Sequence, residues 1–260
     1  MPFTPNRGDQ PSYLYIRSLD TLLIGFNHQD NPKDKKEKTR QFLERLNTLD
    51  HLLMEENSCS THIERDNYEA LALTHFRGPI YFLDNTSDDG YVTLGSRYGC
   101  PPLFGEVYSL CIIYAPPIIQ GRSFVVDPEK LHHTLTTMEG HPYKDILSHR
   151  ASPNFDMLLR ENLVTWELIP LLADIYMSFL IDIRDYEIYG PRSIRLCSQL
   201  SGKKGITIGA AHIPNLEKYL TNGVLHRPHN WSAHLEMQYP DLKNRIAIIQ
   251  DFLLSNGWTD

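Results

Sequence analysis

Read for the spacing of apolar and polar positions, the chain alternates short strand-like runs with helical stripes. Residues 13–26 hold two apolar runs suited to strands, the second being Thr21-Leu-Leu-Ile-Gly25-Phe. Asp30-Asn31-Pro32 offers a turn or helix start, and 33–47 predicts a helix with Phe42, Leu43 and Leu46 on one stripe and charge elsewhere. Asp50-His-Leu-Leu-Met-Glu55 is short, apolar and bounded by polar residues, which predicts a second, parallel strand. Strand, helix and strand then occupy about forty residues, the size of a βαβ unit. A helix is expected over 66–75, and a further strand over Pro79-Ile-Tyr-Phe-Leu-Asp84 before the turn-rich Asn85-Thr-Ser-Asp-Asp-Gly90.

From there to residue 153 the texture changes, with recurrent proline and glycine (Pro101-Pro102, Pro116-Pro117, Gly121, Gly140) and short apolar runs. A long apolar stripe returns over 154–186, where Pro170 is expected to kink or split the helix. Lys203-Lys-Gly-Ile-Thr-Ile-Gly209 reads as a strand, Asn215 to Leu220 as the start of a helix, and 240–256 as a closing amphipathic helix. The whole predicts an α/β fold with a mixed, mainly parallel central sheet flanked by helices. We expect one domain over 1–260, with 85–153 as an insertion or lid on the sheet's functional edge.

Composition narrows the function classes. A chain of 260 residues can bury a substantial core, and a net charge of −7 argues against general nucleic-acid affinity. The one dense basic run, Lys33 to Arg40, is interrupted by Asp34 and Glu37 and reads as a solvated helix face. The N-terminus lacks the apolar core of a signal peptide, and no run approaches the roughly 18 apolar residues of a membrane span. We therefore expect a cytoplasmic protein. The four cysteines, Cys59, Cys100, Cys111 and Cys197, have no close C-x-x-C pair and read as free thiols. No Gly-x-Ser-x-Gly elbow, phosphate loop or dinucleotide fingerprint occurs, so neither serine-hydrolase chemistry nor a nucleotide cofactor is expected.

One phrase occurs twice. Thr21-Leu-Leu-Ile-Gly25-Phe-Asn-His28 and Ile206-Thr-Ile-Gly209-Ala-Ala-His212 both read as strand, Gly-x-x-His, turn. Each histidine would emerge at the carboxyl end of its strand, the edge where open α/β sheets bind ligands. Two such strands side by side would aim two imidazoles into one crevice, and Glu55 would end its strand at the same edge. His28, Glu55 and His212 form a three-ligand set that suits a divalent metal with one position open to water, and zinc, manganese or cobalt would serve. Without metal, a histidine could act as general base on water with Glu55 orienting it. Arg184 offers fixed donors for an oxyanion or an anionic substrate group, although a structural ion pair explains a helix-borne arginine equally well. Gly25, Gly209 and Asp84 complete the candidates as substrate-binding positions, with a turn or cap role as the alternative for Asp84. Adjacent His132 and His133 point apart on any regular element, and His226-Arg-Pro-His229 reads as a loop, so neither pair joins the site.

The order of these motifs resembles the TraB/PrgY proteins and the TIKI metalloproteases, relatives of the erythromycin esterase and ChaN-like group. Gly25 and His28 match that family's first Gly-x-x-His, and Asp50 to Glu55 matches its Asp-Val-Val-Ala-Val-Glu strand. Asp66-Asn-Tyr68-Glu-Ala-Leu71 is similar to its Arg-Tyr-Glu-Ala-Leu helix. Leu180-Ile-Asp-Ile-Arg184-Asp185 is similar to its Glu-Arg-Asp motif, and Gly209-Ala-Ala-His212-Ile-Pro214 to Gly-Ala-Gly-His-Val-Pro. Ile183 stands where the family has glutamate, so metal binding is expected to be weak and exchangeable. The resemblance implies a hydrolase that activates water on a peptide, ester or lactone, and the charge and apolar runs lead us to expect no nucleic-acid or membrane partner. The alternative it leaves is an inactive protein that binds or sequesters a peptide or small ligand in the same pocket.

Overall fold

The computed structural model describes residues 11–27, 30–55, 67–84, 94–101, 104–105, 118–120, 123–125, 161, 163–164 and 168–256. In chain order the strands are β1 (Ser12–Ile16), β2 (Thr21–Phe26), β3 (His51–Met54), β4 (Ile80–Phe82), β5 (Ile118–Gln120), β6 (Ser123–Val125) and β7 (Lys204–Gly209). The helices are α1 (Lys36–Leu46), α2 (Tyr68–His75), α3 (Leu168–Arg184), α4 (Gly190–Gln199), α5 (Ile213–Asn222), α6 (Trp231–Gln238) and α7 (Pro240–Ser255). They fall into two compact units, Met1–Thr86 with Ile181–Pro228, and Ser87–Leu180 with His229–Asp260.

The first unit is built on a five-stranded sheet of order β1-β2-β7-β3-β4. β2, β7, β3 and β4 run parallel, and β1 pairs antiparallel with β2. The mixed, mainly parallel sheet flanked by helices is the fold expected from the sequence. The expected strand, helix, strand unit is also present as β2, α1 and β3, but β7 from far along the chain lies between its two strands. All six residues of β2 and all six of β7 are buried, as a strand covered on both faces requires. Successive side chains take opposite faces. Leu22, Ile24 and Phe26 of β2 join Leu52 and Met54 of β3 against Phe42 and Leu46 of α1 and Tyr68 and Ala72 of α2. Leu23, Leu53, Ile206 and Ile208 face the other way, onto Tyr189, Cys197, Ile213, Leu216 and Leu220. Helices thus cover both faces.

Local chemistry sets the ends of these helices. Asn31 caps a short 3-10 turn ahead of α1 by accepting from Lys33 N–H at 2.9 Å, and Asn67 caps α2 by accepting from Ala70 N–H at 2.9 Å. Helix α3 is described from Leu168, and the residues just before it, which bear on the expectation at Pro170, lie outside the described residues. A departure from α-helical geometry is found further on. α3 passes into a π turn over Asp185–Tyr189 and then into α4, with Gly190 N–H donating to the Asp185 carbonyl. Pro191 follows directly, and in a continuing α-helix its ring would press on the carbonyl four residues back. The wider turn relieves that clash, and such turns recur at functional sites. The sequence pattern ends the helix at 186 and does not register the turn.

In the second unit, β5 and β6 pair antiparallel, and Trp231 packs between Phe104 and Phe179 with ring centroids 4.5 and 5.0 Å away. Most of the expected 85–153 insertion lies outside the described residues, as do residues 154–160 of the expected long helix. Among the described residues no helix is long and apolar enough to cross a membrane.

Gly190 is held by its neighbours: a Cβ there would lie 2.6 Å from the Asp185 carbonyl oxygen, 2.6 Å from Leu225 Cδ2 and 2.8 Å from Tyr219 Cδ2. Gly190→Ala is expected to cost about 1–3 kcal/mol, the range for forcing extra carbon into packed structure. Urea denaturation measures it. A midpoint equal to that of the unaltered protein would mean that the π turn yields without cost.

Candidate functional site

The site grows from the carboxyl ends of the parallel strands. Glu55 is the first residue beyond β3, and its N–H still donates to the Thr207 carbonyl of β7 at 3.0 Å. Alternation puts its side chain on the same face as Leu53, toward α4 and α5. There Glu55 Oε2 accepts from the Gly209 N–H at 2.6 Å, and Oε1 accepts from the Tyr189 hydroxyl at 3.2 Å. Only 2% of Glu55 is exposed, so both bonds are shielded from competing water.

His212 closes the 3-10 turn Ala210–His212 that follows β7, and it is buried. Its Nδ1 lies 2.7 Å from Asp185 Oδ1, while Nε2 faces Glu55 Oε1 at 3.5 Å. In the tautomer with Nδ1 donating to Asp185, Nε2 is the nitrogen turned toward Glu55 with a lone pair. Asp185 in turn takes a bond at Oδ2 from Asn215 Nδ2 (2.8 Å), and the same amide nitrogen reaches Asp182 Oδ1 at 2.9 Å. The Tyr189 ring stands edge-on to the imidazole with centroids 5.0 Å apart, which fixes its tilt.

Asp84, two residues beyond β4, and Arg184, the last residue of α3, complete the cluster. Arg184 Nη2 lies 3.2 Å from Asp84 Oδ2 and 3.8 Å from Glu55 Oε1, and it also donates to the Tyr189 hydroxyl. That hydroxyl is 3.4 Å from Asp84 Oδ2, so its one proton serves either Glu55 or Asp84 at a time. Arg184 and Asp185 are neighbours in sequence with different partners: the arginine joins the strand-end carboxylates, and the aspartate orients His212.

Of the residues singled out from sequence, the fold brings Glu55, His212, Arg184, Asp84 and the Gly209 N–H into one buried cluster. His28 lies outside the described residues, although β2 and β7, the strands of the duplicated phrase, pair directly. Gly25 serves close approach: a Cβ there would meet Ile213 Cγ1 and Ser12 Oγ at 2.8 Å and Ala210 Cα at 3.2 Å. Neither it nor Gly209 has a positive φ, so space and not a left-handed backbone selects glycine at Gly25. Sequence reasoning gave no role to Tyr189 or Asn215, and gave Asp185 only as a structural ion-pair partner of Arg184, whereas Asp185 meets His212. Tyr189 lies at the end of the π turn, beyond the residue where the helical pattern stops.

Chemically, the arrangement offers a buried, oriented base beside a fixed carboxylate. Glu55, Asp84 and Asp185 bring three carboxylates into a site where Arg184 is the permanent cation among the described residues, so a proton or a metal ion would be welcome there. Glu55 Oε1 and His212 Nε2 stand 3.5 Å apart, close to the spacing of two donors that each lie about 2.1 Å from one tetrahedral ion. Asp185 supplies the outer hydrogen bond that metal-bound histidines usually have. Two donors of the expected three therefore fit, although among the described residues no group of three or more His, Cys, Asp or Glu side chains is gathered to hold a metal. No protein-family model, no curated protein and no solved structure matches this chain.

Proposed function

We propose that this protein is a hydrolase that activates water between His212 and Glu55 for attack on a peptide, ester or lactone carbonyl. The observation that carries the reading is the buried line from Asp185 through His212 to Glu55, with 2.7 Å on one side of the imidazole and 3.5 Å on the other. Water has its proton taken at His212 Nε2, and the imidazolium so formed is stabilised by Asp185. Glu55, fixed by the Gly209 N–H, orients the water through Oε1. Arg184 places a guanidinium within 3.8 Å of that carboxylate, where it can balance negative charge as the carbonyl oxygen becomes an oxyanion. His212 then returns its proton to the leaving group.

Zinc, manganese or cobalt would be held by Glu55 and His212, with His28 as the third ligand that the TraB and TIKI resemblance implies, and would lower the pKa of bound water and polarise the carbonyl. The substrate is a peptide or small molecule, because the net charge of −7 gives no basis for nucleic-acid binding. The free, buried thiols of Cys100 and Cys197 suit a reducing compartment, and we place the protein in the cytoplasm.

A panel of fluorogenic peptides, 4-nitrophenyl esters and lactones, each with and without added zinc, manganese or cobalt, tests the activity. Glu55→Gln is expected to lower kcat/KM by about 10²–10⁴-fold, the range for a positioned acid–base group, with the thermal midpoint checked in parallel. Unchanged turnover in that variant would remove Glu55 from the mechanism.

Metal dependence has its own test in Asp185→Asn, which replaces no metal ligand but removes the carboxylate behind His212 Nδ1. Calorimetric zinc titration is expected to show affinity weakened about 10–100-fold through loss of that charged outer partner of His212. Equal affinity in the two proteins would direct the search for the metal away from His212.

A further inference from the structure

Beside the cluster, a cleft of about 440 Å³ opens between the end of β4 and the start of α4, a volume in the range of small-molecule sites. Asp84 is its inner wall, and the Asp84 carboxylate is the one held by Arg184, so the cleft abuts the reaction site. Half-buried Ile188 and Pro191 give it an apolar surface above the fully buried Leu83, and Arg192 and Arg195 line the same space. The two arginines are three residues apart on α4, which sets them one above the other on a single helix face. Arg195 is exposed and Arg192 half-buried. Of the two carboxylates in the lining, Asp84 is buried and held by Arg184 at 3.2 Å, and Glu187 is exposed with Arg195.

We propose that this cleft is an anion subsite that holds a carboxylate of the substrate on Arg195 and Arg192 while the adjoining apolar segment lies on Ile188 and Pro191. Guanidinium donors match a carboxylate in two-point geometry, and the apolar walls select a ligand that carries carbon next to its charge. The substrate class is then an ester, lactone or peptide bearing a free carboxylate a few atoms from the scissile carbonyl. This assignment rests on the hydrolase reading for its substrate but not for its binding.

The test therefore has two arms. In the first, hexanoate, hexan-1-ol and inorganic phosphate are titrated separately into the full-length protein, with the arginine side-chain NMR signals as readout. Hexanoate is expected to shift Arg192 and Arg195 signals and to bind at least about tenfold more tightly than hexan-1-ol, and Arg195→Gln and Arg192→Gln should each weaken it. Equal binding of hexan-1-ol, or of phosphate, or hexanoate binding that ignores both variants, overturns the subsite. In the second arm, Arg195→Gln is expected to raise KM for mono-4-nitrophenyl glutarate about tenfold with kcat unchanged, and to leave 4-nitrophenyl butyrate unaffected. Hexanoate binding at the arginines without turnover of either ester would retain the subsite and remove the hydrolase reading. An equal rise in KM for both esters would overturn the role of charge.

Discussion

The hydrogen bond from the Gly209 N–H to Glu55 Oε2, at 2.6 Å, is the contact on which the site depends. It ties the end of β7 to the end of β3, and so fixes the carboxylate and the turn that delivers His212 in one step. A buried carboxylate needs donors, and the backbone amide is the shortest of those Glu55 has, beside the Tyr189 hydroxyl at 3.2 Å. Everything downstream follows from it: the tyrosine hydroxyl and the imidazole both address the oxygen that Gly209 leaves available.

Stability and chemistry have separate sources in this unit. Leu23, Ile24, Phe26, Leu52, Leu53, Ile206 and Ile208 are fully buried, and each such side chain contributes about 1.5–3 kcal/mol by leaving water. The polar cluster gives no comparable return, because desolvation offsets most of the attraction between buried charges. Its residues are better understood as a preorganised field supported by the core around them. The π turn shows the same division: it breaks helix regularity between Asp185 and Tyr189, the two residues it contributes to the cluster.

Much of this was legible in the sequence because it depends on period and position. Alternation in β2, β3 and β7 specifies which side chains enter which layer, and strand ends specify where Glu55, Asp84 and the turn before His212 emerge. The pairing of β2 with β7 followed from the repeated phrase, but the insertion of β7 between β2 and β3 did not, since nothing local distinguishes a strand that adds at an edge from one that divides a βαβ unit. Tyr189 and Asn215 were illegible for a related reason. Each meets its partner through the docking of whole helices, and Tyr189 lies in a π turn that runs past residue 186, where the helical pattern in the sequence ends.

That placement of β7 also bears on how the chain reaches its native state. The central strand is the last of the sheet to be synthesised, and its partners β2 and β3 lie more than a hundred residues before it. Until it arrives, the nascent sheet has two inner strands whose backbone groups face one another without a ladder between them, a strongly non-local arrangement that closes slowly and leaves apolar edges open to wrong partners. Burial of β7 on every residue is thus a commitment made late: the step that completes the polar cluster is the same step that ends the chain's exposure to misassembly.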